Sequence, residues 1–195
     1  MGNLKMKLWN ARVECPPGSE VFIIPISSQE SLITEAAVKE EIKASDANIP
    51  FTQRDKYVHD ICSTSRTLFC ILACARRTAD IFALMDQGIT DQDLPLRRNL
   101  DVGTEFFLEG SSGKEIPLLK DWETKDRIIF RKWQREMTAP VFIRGEHYNL
   151  DSNSVNLPFT KAPVAYSSGG YSEILIREIH PSHHNFWTCP KQSVR

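Results

Sequence analysis

Thr64-Ser65-Arg66-Thr67-Leu68-Phe69-Cys70-Ile71-Leu72-Ala73-Cys74-Ala75 is the most apolar part of this chain, and its reading decides the fold. A run such as Leu68 to Ala75 can be a buried strand or a buried helix, because periodicity alone does not separate the two. Its length and its content of Ala, Leu and Cys predict a helix, hydrophobic almost all round, as at the centre of a small bundle. Cys70 and Cys74, four apart, then share one face and act as small buried hydrophobes. The run is far too short for the ~20 apolar residues that cross a bilayer.

Reading outward from this helix, the polar break Arg76-Arg77-Thr78 precedes Ile81, Phe82, Leu84 and Met85 and then Gly88. That order predicts a second amphipathic helix closed by glycine, and hence a helical hairpin. Upstream, Tyr57, Val58 and Ile61 stand at helical spacing behind Thr52, a cap residue. Ser27-Ser28-Gln29-Glu30 reads as a capping box for a helix over Leu32 to Ala44 that ends in Asp46 to Pro50. Before it, a Pro-Pro-Gly turn at Pro16 to Gly18 leads into Val21-Phe22-Ile23-Ile24, an edge strand stopped by Pro25.

Downstream, Ile89 to Leu96 is expected as a single turn, with acidic residues at its start and Pro95 preventing extension. Gly103 to Gly113 is expected as an irregular loop. From Lys125 a helix is predicted with Ile128, Ile129, Trp133 and Met137 on the buried side and Lys125, Asp126, Arg131, Gln134 and Arg135 outward, closed by Pro140. Val141-Phe142-Ile143 is extended, and the Asn- and Ser-rich stretch from His147 to Pro158 reads as a linker. The expected fold is mainly α: a helical module over 1–155, then a linker and short β-hairpin over 156–195, with a boundary near Ser154 to Pro163.

The chain has 195 residues, 41% hydrophobic and 25% charged, which suits a folded globular protein with one core. Its 24 basic and 25 acidic residues leave a formal charge of -1, so no bulk field draws it to nucleic acid or an anionic membrane. Five cysteines, odd in number and without a CxxC pair, read as reduced thiols. The N-terminus carries no apolar stretch long enough for a secretory signal, so a cytoplasmic or nuclear location and protein partners are expected.

Two clusters invite chemistry. Tyr166-Ser167-Ser168-Gly169-Gly170-Tyr171-Ser172-Glu173-Ile174 has the outline of a phosphate-covering glycine loop, in which backbone N–H groups approach phosphates closely. Only the middle glycine of G-x-G-x-x-G stands: the three positions read Ser167, Gly169 and Ser172. A lone Gly-Gly between polar residues is more often a hairpin turn. Lys191 follows at a distance compatible with a phosphate-pairing lysine, but Pro190 beside it makes a poor strand, and a tail lysine is the plainer reading. His180, His183, His184 and Cys189 are the densest set of metal-ligand types, yet they lack paired spacing and read as a polar surface loop. Asp91 with Asp93, and Glu40 with Glu41, read as solvated or cap positions.

The order of segments carries more than any one motif. Asp91, Asp93, Leu94, Pro95 and Leu96; Trp133, Pro140, Val141 and Phe142; Leu157, Pro158 and Phe159; and Gly169, Gly170, Ile179, His180, Pro181, His183, His184, Asn185 and Phe186 occur in a familiar succession. Together they resemble the N-terminal extension and first kinase strands of protein-kinase-like proteins of filamentous fungi, over about residues 20 to 186. The resemblance implies kinase ancestry, with ATP, magnesium and Ser/Thr substrates in full-length relatives. It also makes Ser167, Gly169, Gly170 and Ser172 a vestigial nucleotide-binding loop. A kinase needs roughly 250 residues for its catalytic aspartate and metal ligands. The expectation for this chain is therefore a non-catalytic helical module with a truncated kinase-like end, using no cofactor of its own and binding neither nucleic acid nor membrane. The alternative is the first part of an ATP-dependent Ser/Thr kinase.

Overall fold

The computed structural model describes residues 3–45, 51–98, 108–109, 116–148, 150, 155–169 and 172–186, with the backbone alone at 3, 51–52, 98, 108–109, 166–169 and 172–174. The architecture is mainly helical, with two-stranded antiparallel sheets added. Its α-helices are α1 (Asn3–Asn10), α2 (Ile26–Leu32), α3 (Glu35–Ala44), α4 (Phe51–Thr64), α5 (Arg66–Ala75), α6 (Ile81–Asp86), α7 (Pro117–Lys120) and α8 (Thr124–Met137). The strands are β1 (Val13–Glu14), β2 (Phe22–Ile23), β3 (Arg97–Arg98), β4 (Leu108–Glu109), β5 (Val164–Gly169) and β6 (Ser172–Ile176), paired β1 with β2, β3 with β4 and β5 with β6.

The apolar run is the central helix. Every residue of α5 from Leu68 to Ala75 is buried, and α1, α2, α4, α6 and α8 all pack on it, α8 most extensively. Fully burying a Leu, Ile or Phe side chain contributes about 1.5–3 kcal/mol, so this stretch anchors the core. Its start is capped from a distance: the Asp91 carboxylate accepts the N–H groups of Thr67 (2.9 Å) and Leu68 (2.8 Å). Its end turns through Arg76 in the left-handed region, φ 60°, while the Arg77 N–H donates to Leu72 O.

The hairpin with α6 forms as expected. Gly88 takes φ +80°, the Gly88 N–H donates to Met85 O and the Ile89 N–H to Leu84 O, which is the paired bonding of a glycine-closed helix end. Asp91–Asp93 is the expected single turn, a 3-10 turn with a Thr90–Asp93 capping box. Val21 to Ile24 contributes strand β2, which pairs Phe22 with Glu14 and Ile23 with Val13.

Several expectations are corrected. Ser27 to Glu30 does not cap a helix running to Ala44: these residues lie inside α2, and Thr34, extended, starts α3 by accepting the Ala37 N–H at 3.3 Å. The chain leaves the helix at Ile33 and Thr34, and Gln29, whose buried amide donates to Ile24 O and Met137 O, both 2.9 Å, pins α2 to the end of α8. The buried face of α8 is rotated from the expected one. Phe130, Trp133, Gln134 and Met137 are buried, whereas Ile128 is 54% exposed and Ile129 is exposed. Gln134, expected outward, is 3% exposed because Leu96 meets it twice: Gln134 Oε1 accepts the Leu96 N–H at 2.8 Å and Nε2 donates to Leu96 O at 3.0 Å.

Part of the expected loop at Gly103 to Gly113 is strand, since Leu108–Glu109 pairs with Arg97–Arg98; the rest lies outside the described residues, as does Asp46 to Pro50. The linker is seated at its end. Asn156 is buried, its N–H donating to Arg135 O and its side-chain amide to Phe22 O.

Candidate functional site

The glycine-loop residues fall on the β5–β6 hairpin. Its register pairs Ala165 with Leu175, Ser167 with Ile174, Ser168 with Glu173 and Gly169 with Ser172, with an irregularity at Tyr166. Ser167, Gly169 and Ser172 thus stand near the tip; Gly170 and Tyr171 lie outside the described residues. The flanks are open to solvent, with Val164 65% exposed opposite Ile176, also exposed. Beyond β6, the Ile179–Phe159 and His184–Phe142 bridges return the chain to the helical part.

The histidines do not form the surface loop the sequence led us to expect. His183 is 1% exposed and bonded through both ring nitrogens: Nε2 accepts the Ile26 N–H at 3.3 Å, and Nδ1 lies 3.1 Å from Pro140 O. An accepting Nε2 leaves the proton on Nδ1, which donates to the carbonyl. Burial pushes the His183 pKa below its ordinary value. His180 Nδ1 accepts the Ser182 N–H, and the His184 ring stacks on Phe186. Among the described residues no group of three His, Cys, Asp or Glu is placed to hold a metal; Cys189 and Lys191 lie outside them.

The sequence reading missed a groove of about 400 Å³ between β2 and α8. One wall is Glu20, Val21 and Phe22; the other is the exposed side of α8 with Ile128, Arg131, Lys132 and Arg135, and Glu136 and Asn156 close it. Helical spacing places Ile128, Arg131, Lys132 and Arg135 on one face, at i, i+3, i+4 and i+7. That pattern was the available signal, hidden because Ile128 was assigned to the core.

Beneath the groove, Arg12 forms a two-pronged pair with Glu136, Nε to Oε2 and Nη2 to Oε1, each 2.8 Å. Its guanidinium lies 4.0 Å from the Phe22 ring centroid and 4.4 Å from that of Trp9. Burial raises the Glu136 pKa and the Arg12 charge opposes that shift. Arg12 and Glu136 therefore offset each other, with Lys132 also acting on Glu136, and Arg131, Lys132 and Arg135 line the groove together with Glu20. Lys132 Nζ lies 5.8 Å from the ring centroids of both Trp9 and Trp133, at the outer reach of a cation–π contact. Trp9 is itself 46% exposed, so an aromatic surface adjoins the basic one.

The half-buried carboxylates of Asp91 and Asp80 are occupied structurally. Asp91 caps α5, and Asp80 pairs with Arg77 at 2.8 Å, burial raising the pKa of each acid. A scan against protein-family models finds no match for this chain, and searches of curated proteins and of solved structures find none.

Proposed function

We propose that this chain is a non-catalytic interaction module whose binding surface is the groove between β2 and α8. The observation that carries this is the pairing of an exposed apolar side chain, Ile128, with Arg131, Lys132 and Arg135 on one helix face above a rigid floor. Partly buried Arg12, beside the Phe22 and Trp9 rings and paired with Glu136, keeps that floor from collapsing, as a preformed binding surface requires. A photo-crosslinking residue at position 128 should give discrete protein adducts in cells, lost when Arg131 and Arg135 are changed to Glu, while the same residue at Glu40 on α3 should not. Adducts equal at both positions, or none at 128, would remove this reading.

A second reading rests on the β5–β6 hairpin, whose antiparallel register brings Ser167, Gly169 and Ser172 to one tip. It takes the chain as the opening part of an ATP-dependent Ser/Thr kinase, consistent with the resemblance in segment order. An open reading frame continuing past the Arg195 codon with catalytic-loop and DFG-like motifs would favour it. Absence of heat when ATP and magnesium are titrated into the purified chain would leave the interaction module.

A further inference from the structure

We infer that two copies of this chain pair edge to edge along β6, joining their β5–β6 hairpins into one continuous antiparallel sheet across a two-fold axis at Leu175. This concerns a surface other than the β2–α8 groove and goes beyond the reading built on it. A two-stranded hairpin is marginal in water unless further strands or a helix cover it. Here Val164 and Ile176, paired in register, share one face, Ala165 and Leu175 share the other, and all are exposed. Among the described residues β6 pairs with β5 alone, so its outer edge is open. Apolar side chains on both faces and an open backbone edge are what strand addition completes. The edges differ: β5 follows Pro163 and carries the register shift between Ala165 and Ser167, features that blunt an edge, and β6 has neither.

The backbone fixes which residues can sit on the axis. Glu178 O accepts the Thr160 N–H, so the backbone groups of Glu178 point toward the segment leading into β5. Backbone groups alternate in direction along an antiparallel strand, so those of Glu173, Leu175 and Arg177 point to the open edge. In a two-fold pairing the residue on the axis meets its own copy. With Glu173 or Arg177 there, like charges stand directly opposite each other, which destabilises the pair. With Leu175 there, an apolar residue meets itself, and Glu173 stands opposite Arg177 of the second copy at both ends of the seam. Charge complementarity therefore selects the register and the occupant together, because the strand complements itself. Arg177 is exposed, and its contact with the Phe159 ring, 4.9 Å to the centroid, leaves its charge in place; the adjacent acid, Glu178, is paired with Lys161.

Sedimentation velocity of the full chain over a concentration series tests this. The expected result is a reversible equilibrium between monomer and dimer with no larger species, because pairing through β6 closes on itself. Arg177→Glu and Glu173→Arg each set like charges opposite one another at both ends of the seam, and each is expected to weaken dimerisation about tenfold. The double variant Glu173→Arg/Arg177→Glu exchanges the two charges and is expected to restore it. Mixing the two single variants is expected to give a heterodimer where neither pairs well alone, since each copy offers the charges the other lacks. That rescue also separates lost pairing from lost folding. Wild-type protein that stays monomeric throughout or assembles without closing, a dimer indifferent to both single variants, or a loss that neither the double variant nor the mixture repairs would overturn the proposal. None of these results bears on the groove reading, which is judged by the adducts at position 128.

Discussion

At the residue scale, buried polar side chains act as fasteners between segments far apart in sequence. Gln134 replaces a strand neighbour for Leu96, Gln29 joins the start of α2 to the end of α8, and His183 fastens the Pro181–His183 turn to both α2 and Pro140. A buried group left without its partner costs about 1–3 kcal/mol, so each fastener specifies one arrangement. His183 gives a pH-dependent consequence. Its pKa is lowered in the folded chain, so the unfolded chain binds the proton first and stability is lost as pH falls below about 6.5. His180, its ring 5.7 Å away, is shifted in the same direction by burial, so only the difference between variants isolates His183. The stability gap between wild type and His183→Gln, from urea unfolding, should be widest near pH 7.5 and narrow at pH 5.5, by at most about 1.4 kcal/mol per pH unit. A gap independent of pH would show that His183 is not held neutral.

At the element scale, α5, α6 and the turn after them were legible from local signals, whereas the Ser27–Glu30 signal, also local, misplaced a helix start. The all-apolar α5, the glycine-closed α6 and the turn at Asp91–Asp93 follow from composition, Gly88 and Thr90. The rotation of α8 was not legible, because Ile128/Ile129 and Phe130/Met137 both mark plausible apolar faces, and only packing against Leu96 and α5 chooses between them. The same limit hid the groove, which needs Ile128 on the outside. Asp91, by contrast, reads in the sequence, with Asp93, as a solvated or cap position; it caps the start of α5, at a sequence separation no local signal spans. Asp91→Ala should therefore destabilise the chain by ~1–2 kcal/mol in urea unfolding, and Asp91→Asn, which keeps one acceptor, by less. Equal stability of all three proteins would show that the cap contributes nothing.

At the scale of the whole molecule, a central helix surrounded by others makes its thiols inert. Burial raises the Cys70 pKa well above its ordinary value and that of Cys74 to about 12, while Cys62 is only partly buried. Thiolate is the reactive form, so native alkylation at pH 8, mapped by mass spectrometry, should reach Cys62 well before Cys70 and Cys74, which react only in denaturant. Labelling of Cys70 as fast as Cys62 would contradict the central position of α5. The β5–β6 hairpin adds little to this core, since its strands pair chiefly with each other, and what seats the segment is the His183 and Phe142 bonding beyond it. By itself the sequence determined that the chain is mainly helical, that Leu68 to Ala75 is its centre and that a hairpin follows, because these depend on hydrophobicity, chain length and turn residues acting within a few positions. Only the tertiary structure decided which face of α8 is buried, that His183 is a fastener and that Arg131, Lys132 and Arg135 border a groove. Those outcomes depend on hydrogen bonds and packing between segments up to 157 positions apart, whose partners no local pattern encodes.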